Sequence, residues 1–126
     1  MPGPILYSIV ESPTHPNFSS VYKELGFEEI RLGSMRNAIK ALRKQVPNVV
    51  VAEFFYGYGN NYAGINVSNL DVFLHSLQKY SPDTRIVLFV DKNEREYVAK
   101  LEALFPVHAV LIHPVSETQL RQALEG

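Results

Sequence analysis

The chain has no cysteine in its 126 residues. That excludes a disulfide framework, a thiolate metal site and thiol redox chemistry, and it suits a reducing compartment. An excess of charge of either sign is also missing. Twelve Lys and Arg stand against thirteen Asp and Glu, for a formal charge of -1, with no basic run or Arg-rich face, so electrostatics argue against nucleic acid as a partner. Long hydrophobic runs are absent as well. The opening MPGPILYSIVE has no positively charged n-region, and its apolar stretch of about six residues is too short for a signal peptide or a membrane span. The expectation is a soluble, cytoplasmic protein with no membrane association. Two triplets with the form of glycosylation acceptors, Asn17-Phe18-Ser19 and Asn66-Val67-Ser68, are read as chance matches because no leader precedes them.

What is there is an alternation of short apolar runs with segments of helical period. Ile5 to Val10, Glu28 to Leu32, Val49 to Phe54, Arg85 to Val90 and His108 to Ile112 are rich in Ile, Val, Leu and Phe. They read as strands, the middle and late ones buried on both faces. Between them, Phe18, Val21, Tyr22 and Leu25 share one helical face, as do Met35, Ala38, Ile39, Leu42 and Val46. Leu70, Phe73, Leu74 and Leu77 repeat the spacing, then Tyr97, Val98, Leu101, Leu104 and Phe105, and last Leu120, Ala123 and Leu124. Ser34 opens the second helix, and Ser68 with Asp71, Asp91 with Glu94 and Ser116 with Gln119 have the spacing of capping boxes. Gly26, Pro47, Pro82 and Pro106 supply the stops.

Five strands alternating with five helices require right-handed crossovers, hence a parallel sheet covered on both faces. The expected architecture is a three-layer α/β/α sandwich with a five-stranded parallel sheet in the order 2-1-3-4-5. Chemistry on such a sheet collects at the carboxyl ends of strands 1 and 3, where the order reverses. The loop AEFFYGYGNNYAG emerges there. Its glycines, Gly57, Gly59 and Gly64, do not match the dinucleotide fingerprint, because Tyr62 stands where the third glycine belongs, and no Lys followed by Ser or Thr forms a P-loop. Residues 1–126 read as a single domain with no internal repeat or linker, and the short fifth helix suggests a domain excised from a longer protein.

Four segments in this order resemble the receiver domain of response regulators, with the flavodoxin-like fold of the chemotaxis regulator. ILYSIVESPT resembles the first strand, which in the family ends in two acidic residues. VPNVVVAEF resembles the third, which leads to the phospho-accepting Asp. TRIVLFVD resembles the fourth, which ends in Ser or Thr, and HAVLIHPVS the fifth, which ends in Lys-Pro. This sequence fills those positions differently: Val10 and Glu11 replace the acidic pair, and Glu53 is the phospho-acceptor equivalent. Val90 or Asp91 falls at the hydroxyl position, His113 replaces the Lys while Pro114 stays, and Val110 replaces the aromatic. Receiver phosphorylation needs an Asp nucleophile, a Mg²⁺ ion, a Lys and a hydroxyl around a highly charged phosphoryl group. A Glu is longer by a methylene and misplaces its oxygen by about an ångström, which costs about a hundredfold where geometry sets the rate. The resemblance therefore implies a degenerate pseudo-receiver with no catalytic residue.

Several readings of these residues stay open on sequence alone. Glu53 is either a constitutive mimic of a phosphorylated Asp or a solvated carboxylate at a strand end. With Glu11 it makes at best a weak Mg²⁺ site, so no cofactor or metal is expected. His113 either pairs with Glu53 across the crevice as a pH-sensitive latch or is structural. His15, His75 and His108 have no metal-site spacing. Phe55, Tyr56, Tyr58, Asn60 and Tyr62 offer adaptable contact area, for a ligand or a partner, or simply pack on the domain. The first expectation for function is signal transduction through a protein partner, with a homodimer through the face of the fourth helix, fifth strand and fifth helix. The alternative is a small-molecule sensor whose 55–66 loop closes over a pocket bordered by Glu11, Glu53, Tyr56, Asn60 and His113. An enzyme ranks third, since no nucleophile sits on a plausible elbow.

Overall fold

A computed structural model describes residues 3–13, 15–56 and 70–125. Strands β1 (Ile5–Ile9), β2 (Glu28–Leu32), β3 (Val49–Glu53), β4 (Arg85–Val90) and β5 (Ala109–Ile112) form one sheet. All neighbours pair in parallel, in the order β2-β1-β3-β4-β5. Helices α1 (Ser19–Glu24), α2 (Met35–Leu42), α3 (Asp71–Tyr80), α4 (Val98–Glu102) and α5 (Glu117–Glu125) follow the strands in turn, and a 3₁₀ segment, Lys92–Tyr97, leads into α4.

The two-residue period of the strands divides the core. Tyr7, Ile9, Val50, Ala52, Ile86, Leu88 and Val90 face α2, α3 and α4, while Leu6, Val49, Val51, Val87 and Phe89 face α1 and α5. A one-residue slip would exchange these sets, so the register is strongly specified. Glu53 has the parity of Val49 and Val51 and pairs in register with Phe89. Its carboxylate is therefore directed to the α1/α5 side of the sheet.

Side-chain caps mark the starts of two of the helices, α2 and α5. Ser34 Oγ accepts from Asn37 N at 3.1 Å and opens α2. Ser116 and Gln119 form a reciprocal capping box at α5, at 3.0 and 3.1 Å. At the other end of α5, Arg85 donates to the Leu124 carbonyl at 3.1 Å and the His108 ring lies 3.2 Å from that of Ala123, groups suited to the negative end of a helix dipole. Gly26, with φ of 88°, ends α1 in a conformation that L side chains rarely adopt.

Three expectations need correction, and a fourth falls outside the described residues. The fifth strand is not fully buried: it is half-buried to exposed, because among the described residues it is an edge strand, although Val110 packs against one core and Ala109 and Leu111 against the other. Asp91 does not head an α-helical capping box. Its side chain accepts from Asn93 N at 3.2 Å, and its carbonyl accepts from Glu94 N at 2.8 Å, the three-residue spacing that sets up the 3₁₀ segment. Leu104 accordingly lies past the short α4, 55% exposed. Val46 is outside α2 and exposed, since Pro47 disfavours helical angles at the residue before it. Helix α3 begins with Leu70 at the cap position and no side-chain cap bond; Ser68, expected to cap it, lies outside the described residues.

Candidate functional site at the carboxyl ends of the strands

The ends of the central strands are held by ladder bonds that continue past the strands themselves. Val10 N donates to the Leu32 carbonyl at 2.8 Å, Phe54 N to that of Phe89 at 2.8 Å, and His113 N to that of Val90 at 2.9 Å. These bonds fix the residues that follow β1, β3 and β5 around one crevice. Glu53, the last residue of β3, is at its centre.

The Glu53 side chain is 2% exposed, so it is not the solvated carboxylate that sequence alone left open. Ser12, in the connection after β1, donates its hydroxyl to Oε1 at 2.9 Å. The Nδ1 atom of His15 lies 3.5 Å from the same oxygen, and Nε2 of His113 lies 3.3 Å from Oε2. Both imidazoles rest against Phe89, at centroid distances of 5.3 and 6.0 Å. Phe18, at the start of α1, meets the same ring edge-on at 6.1 Å. A buried carboxylate is tolerated only where donors surround it. Here the Ser12 hydroxyl donates to a carboxylate on β3, and two imidazoles, from the connection after β1 and the end of β5, stand 3.5 and 3.3 Å from its oxygens.

His15 is the residue that sequence reasoning set aside. It has no motif and no periodic position, yet its side chain is 2% exposed and its Nδ1 has no hydrogen bond among the described residues beyond its approach to Glu53. The one available signal is its place in the β1–α1 connection, which borders the crevice of any sheet with this strand order.

Beside Glu53 opens a cavity of about 650 Å³, bordered by Pro16, Phe55, Asp91, His113, Pro114 and Val115. The His113–Pro114 peptide bond is cis. Among the described residues that line it there is no Lys or Arg. Glu11 lies two residues past β1, half-buried, and is not among those lining residues. Tyr56 turns away from the cavity: it stacks on Tyr97 at 4.0 Å and 12°, with Lys100 Nζ 5.4 Å from its ring centre. Tyr58, Asn60 and Tyr62 lie outside the described residues.

A receiver fold brings with it the question of a Mg²⁺ ion. No group of three His, Asp or Glu able to hold a metal occurs among the described residues. The Glu53 oxygens already face Ser12, His15 and His113, and a hard cation of this kind wants near-octahedral oxygen ligation. The donor set present does not fit that ion.

No protein-family model matches the sequence, and no curated protein matches it. Solved structures do match. The chemotaxis response regulator CheY4 of Vibrio cholerae superposes with a TM-score of 0.75 at 13% identity, over 98% of this chain and 97% of that one. A response regulator receiver domain protein from Clostridium thermocellum gives 0.70 at 16% identity, over 96% and 90%. A response regulator receiver protein from Sinorhizobium medicae gives 0.68 at 19% identity, over 96% and 90%. With its parallel sheet in the order 2-1-3-4-5 and matches along nearly its whole length, the chain has the fold of these receiver domains.

Proposed function

We propose that this chain is a receiver-like regulatory domain that acts in signal transduction through protein contacts and takes no phosphoryl group. The observation that carries the reading is Glu53, which stands at the phospho-acceptor position, 2% exposed, with its oxygens facing Ser12, His15 and His113. A phosphoryl acceptor needs an oxygen free to attack in line, and cations to neutralise the equatorial oxygens as charge develops. This carboxylate is engaged on both oxygens, and the described cavity lining holds two carboxylates and no Lys or Arg. An incoming phosphoryl donor would meet repulsion where receivers offer attraction.

The same contacts suggest what Glu53 does in place of switching. It ties the β1–α1 connection to the end of β5, the two regions that a phosphoryl group would otherwise bridge. The domain is thus held in one state, and its output is a constant surface. The contact face we assign is the α4–β5–α5 side. There Leu104 is 55% exposed and Ile112 38% exposed, which fits a second copy or another protein partner. Its role is regulatory, with no reaction of its own.

Intact-mass measurement after incubation with acetyl phosphate and Mg²⁺ tests the reading. The expected result is an unchanged mass under conditions that fully label an authentic receiver run alongside. A gain of one phosphoryl group mapped to Glu53, Asp91 or Asp71 overturns it.

A further inference from the structure

The cavity beside Glu53 has the volume of a small-ligand site, within the usual range of about 300–1,000 Å³. Its walls and its polar edge differ sharply in chemistry. Pro16, Phe55, Pro114 and Val115 form an apolar flank, whereas Glu53, Asp91 and His113 supply the polar groups. We propose that this cavity is a binding site for a primary ammonium group carried on an apolar stem.

The ligand class follows by elimination among charges. Two carboxylates with no Lys or Arg among the described lining residues disfavour a phosphate, a carboxylate or any other anion. A bare divalent cation would need several hard oxygen ligands, and no cluster of that kind occurs among the described residues. A neutral apolar molecule would desolvate the carboxylates without returning a hydrogen bond. An alkylammonium supplies three N–H donors on a compact charge. Asp91 is exposed, with Oδ1 3.2 Å from Asn93 N. Glu53 Oε2 lies 3.3 Å from His113 Nε2, the His113 side chain is 25% exposed, and both residues line the cavity. The methylene stem then lies along Phe55, Pro114 and Val115, as Lys stems lie along apolar surface elsewhere.

The same chemistry has two sources, a free alkylamine or a lysine side chain offered by a partner protein. The proposal rests on the crevice being free of phosphoryl chemistry, as argued above. Amide chemical-shift titrations of the full chain with n-hexylammonium, n-hexanol, hexanoate and a terminally blocked Gly-Lys-Gly peptide separate the possibilities. Hexylammonium is expected to give saturable shifts at Phe55, Asp91, His113 and Val115. Hexanol is expected to bind at least about tenfold more weakly and hexanoate not to bind at all. Asp91→Asn, which keeps a side chain able to cap the 3₁₀ segment, is expected to weaken the amine about three- to tenfold, since the lost charge is exposed. Binding of the blocked peptide as tight as that of the free amine assigns the source to a protein; binding of the free amine alone assigns it to a metabolite. Equal binding of hexanol and hexylammonium, binding of hexanoate, an Asp91→Asn protein with unchanged affinity, or no shift in either amine arm overturns the site. The last result with an unchanged phosphoryl mass removes the site and leaves the regulatory reading standing; a phosphoryl gain at Glu53 removes both.

Discussion

Replacing Ser12 by alanine takes a hydroxyl donor, at 2.9 Å, from a carboxylate whose side chain is 2% exposed. A hydrogen bond to a charged group contributes about 1.5–3 kcal/mol, and one between neutral groups about 0.5–1.5 kcal/mol. Ser12→Ala is therefore expected to cost about 1.5–3 kcal/mol in the native background. In a Glu53→Gln background the acceptor is neutral, and the same substitution is expected to cost roughly 1 kcal/mol. The coupling in the double-mutant cycle comes to about 0.5–2 kcal/mol, which isolates the charged contact from whatever else the hydroxyl does. An unfolding entropy of about 2.1 cal/mol/K per residue gives roughly 0.26 kcal/mol/K for a chain of 126 residues. The Ser12→Ala loss then reads as a drop in Tm of roughly 6–11 °C. Urea and thermal unfolding of the four proteins at pH 7 measure it. A Ser12→Ala protein within about 0.5 kcal/mol of the parent, or a coupling below about 0.3 kcal/mol, would refute the account of Glu53 as a buried carboxyl group held by the Ser12 hydroxyl.

Two further substitutions test the packing that frames the site. The Tyr22 hydroxyl is buried with no hydrogen bond among the described residues, beside a void too small for water, so Tyr22→Phe is expected to raise stability by about 1 kcal/mol. Burial first, then the charge of Glu29, push the Tyr22 phenol above its ordinary value of 10.0, with Arg31 opposing; burial also raises Tyr7. The folded state thus holds these protons more tightly than the unfolded one. The stability this brings is complete below about pH 10 and falls as pH rises beyond it, and Tyr22→Phe is expected to flatten that alkaline limb in urea titrations. A destabilised or equally pH-sensitive Tyr22→Phe protein would contradict both statements. Gly26→Ala meets no atom within 4 Å but keeps a φ of 88°, so a loss of about 1–2 kcal/mol is expected from backbone strain alone; a neutral result would mean that the turn relaxes.

The strands of the sheet centre were legible because Val49 to Ala52 and Ile86 to Val90 are apolar on both faces, which is what a parallel sheet between two helix layers demands. Strand order followed from the βα alternation and the handedness of crossovers. The Glu53–His113 approach was one of two readings that the sequence left open; it follows from Glu53 ending β3 and His113 following β5, with only β4 between those strands. His15 was not. Its burial depends on how the β1–α1 connection folds over Phe89, a tertiary contact with no period to betray it. The apolar run of β5 reads as buried, yet burial there depends on a strand's place in the sheet and not on its composition. In the Tyr97 to Phe105 segment the helical spacing is real, but the bonds from Asp91 wind the preceding turn as 3₁₀. Loop length hid the position of Tyr56, which leaves β3 to stack on Tyr97 and so does not border the crevice.

We propose that Glu53 and the groups around it stand in place of a phosphoryl-receiving state. Titration of the ¹⁵N-labelled chain with beryllofluoride and Mg²⁺, a stable stand-in for the phosphoryl group, tests it at the site itself. The amides of Val10, Phe54, Asp91 and His113 are expected to stay where they are at every concentration. Saturable shifts at those four amides would contradict it.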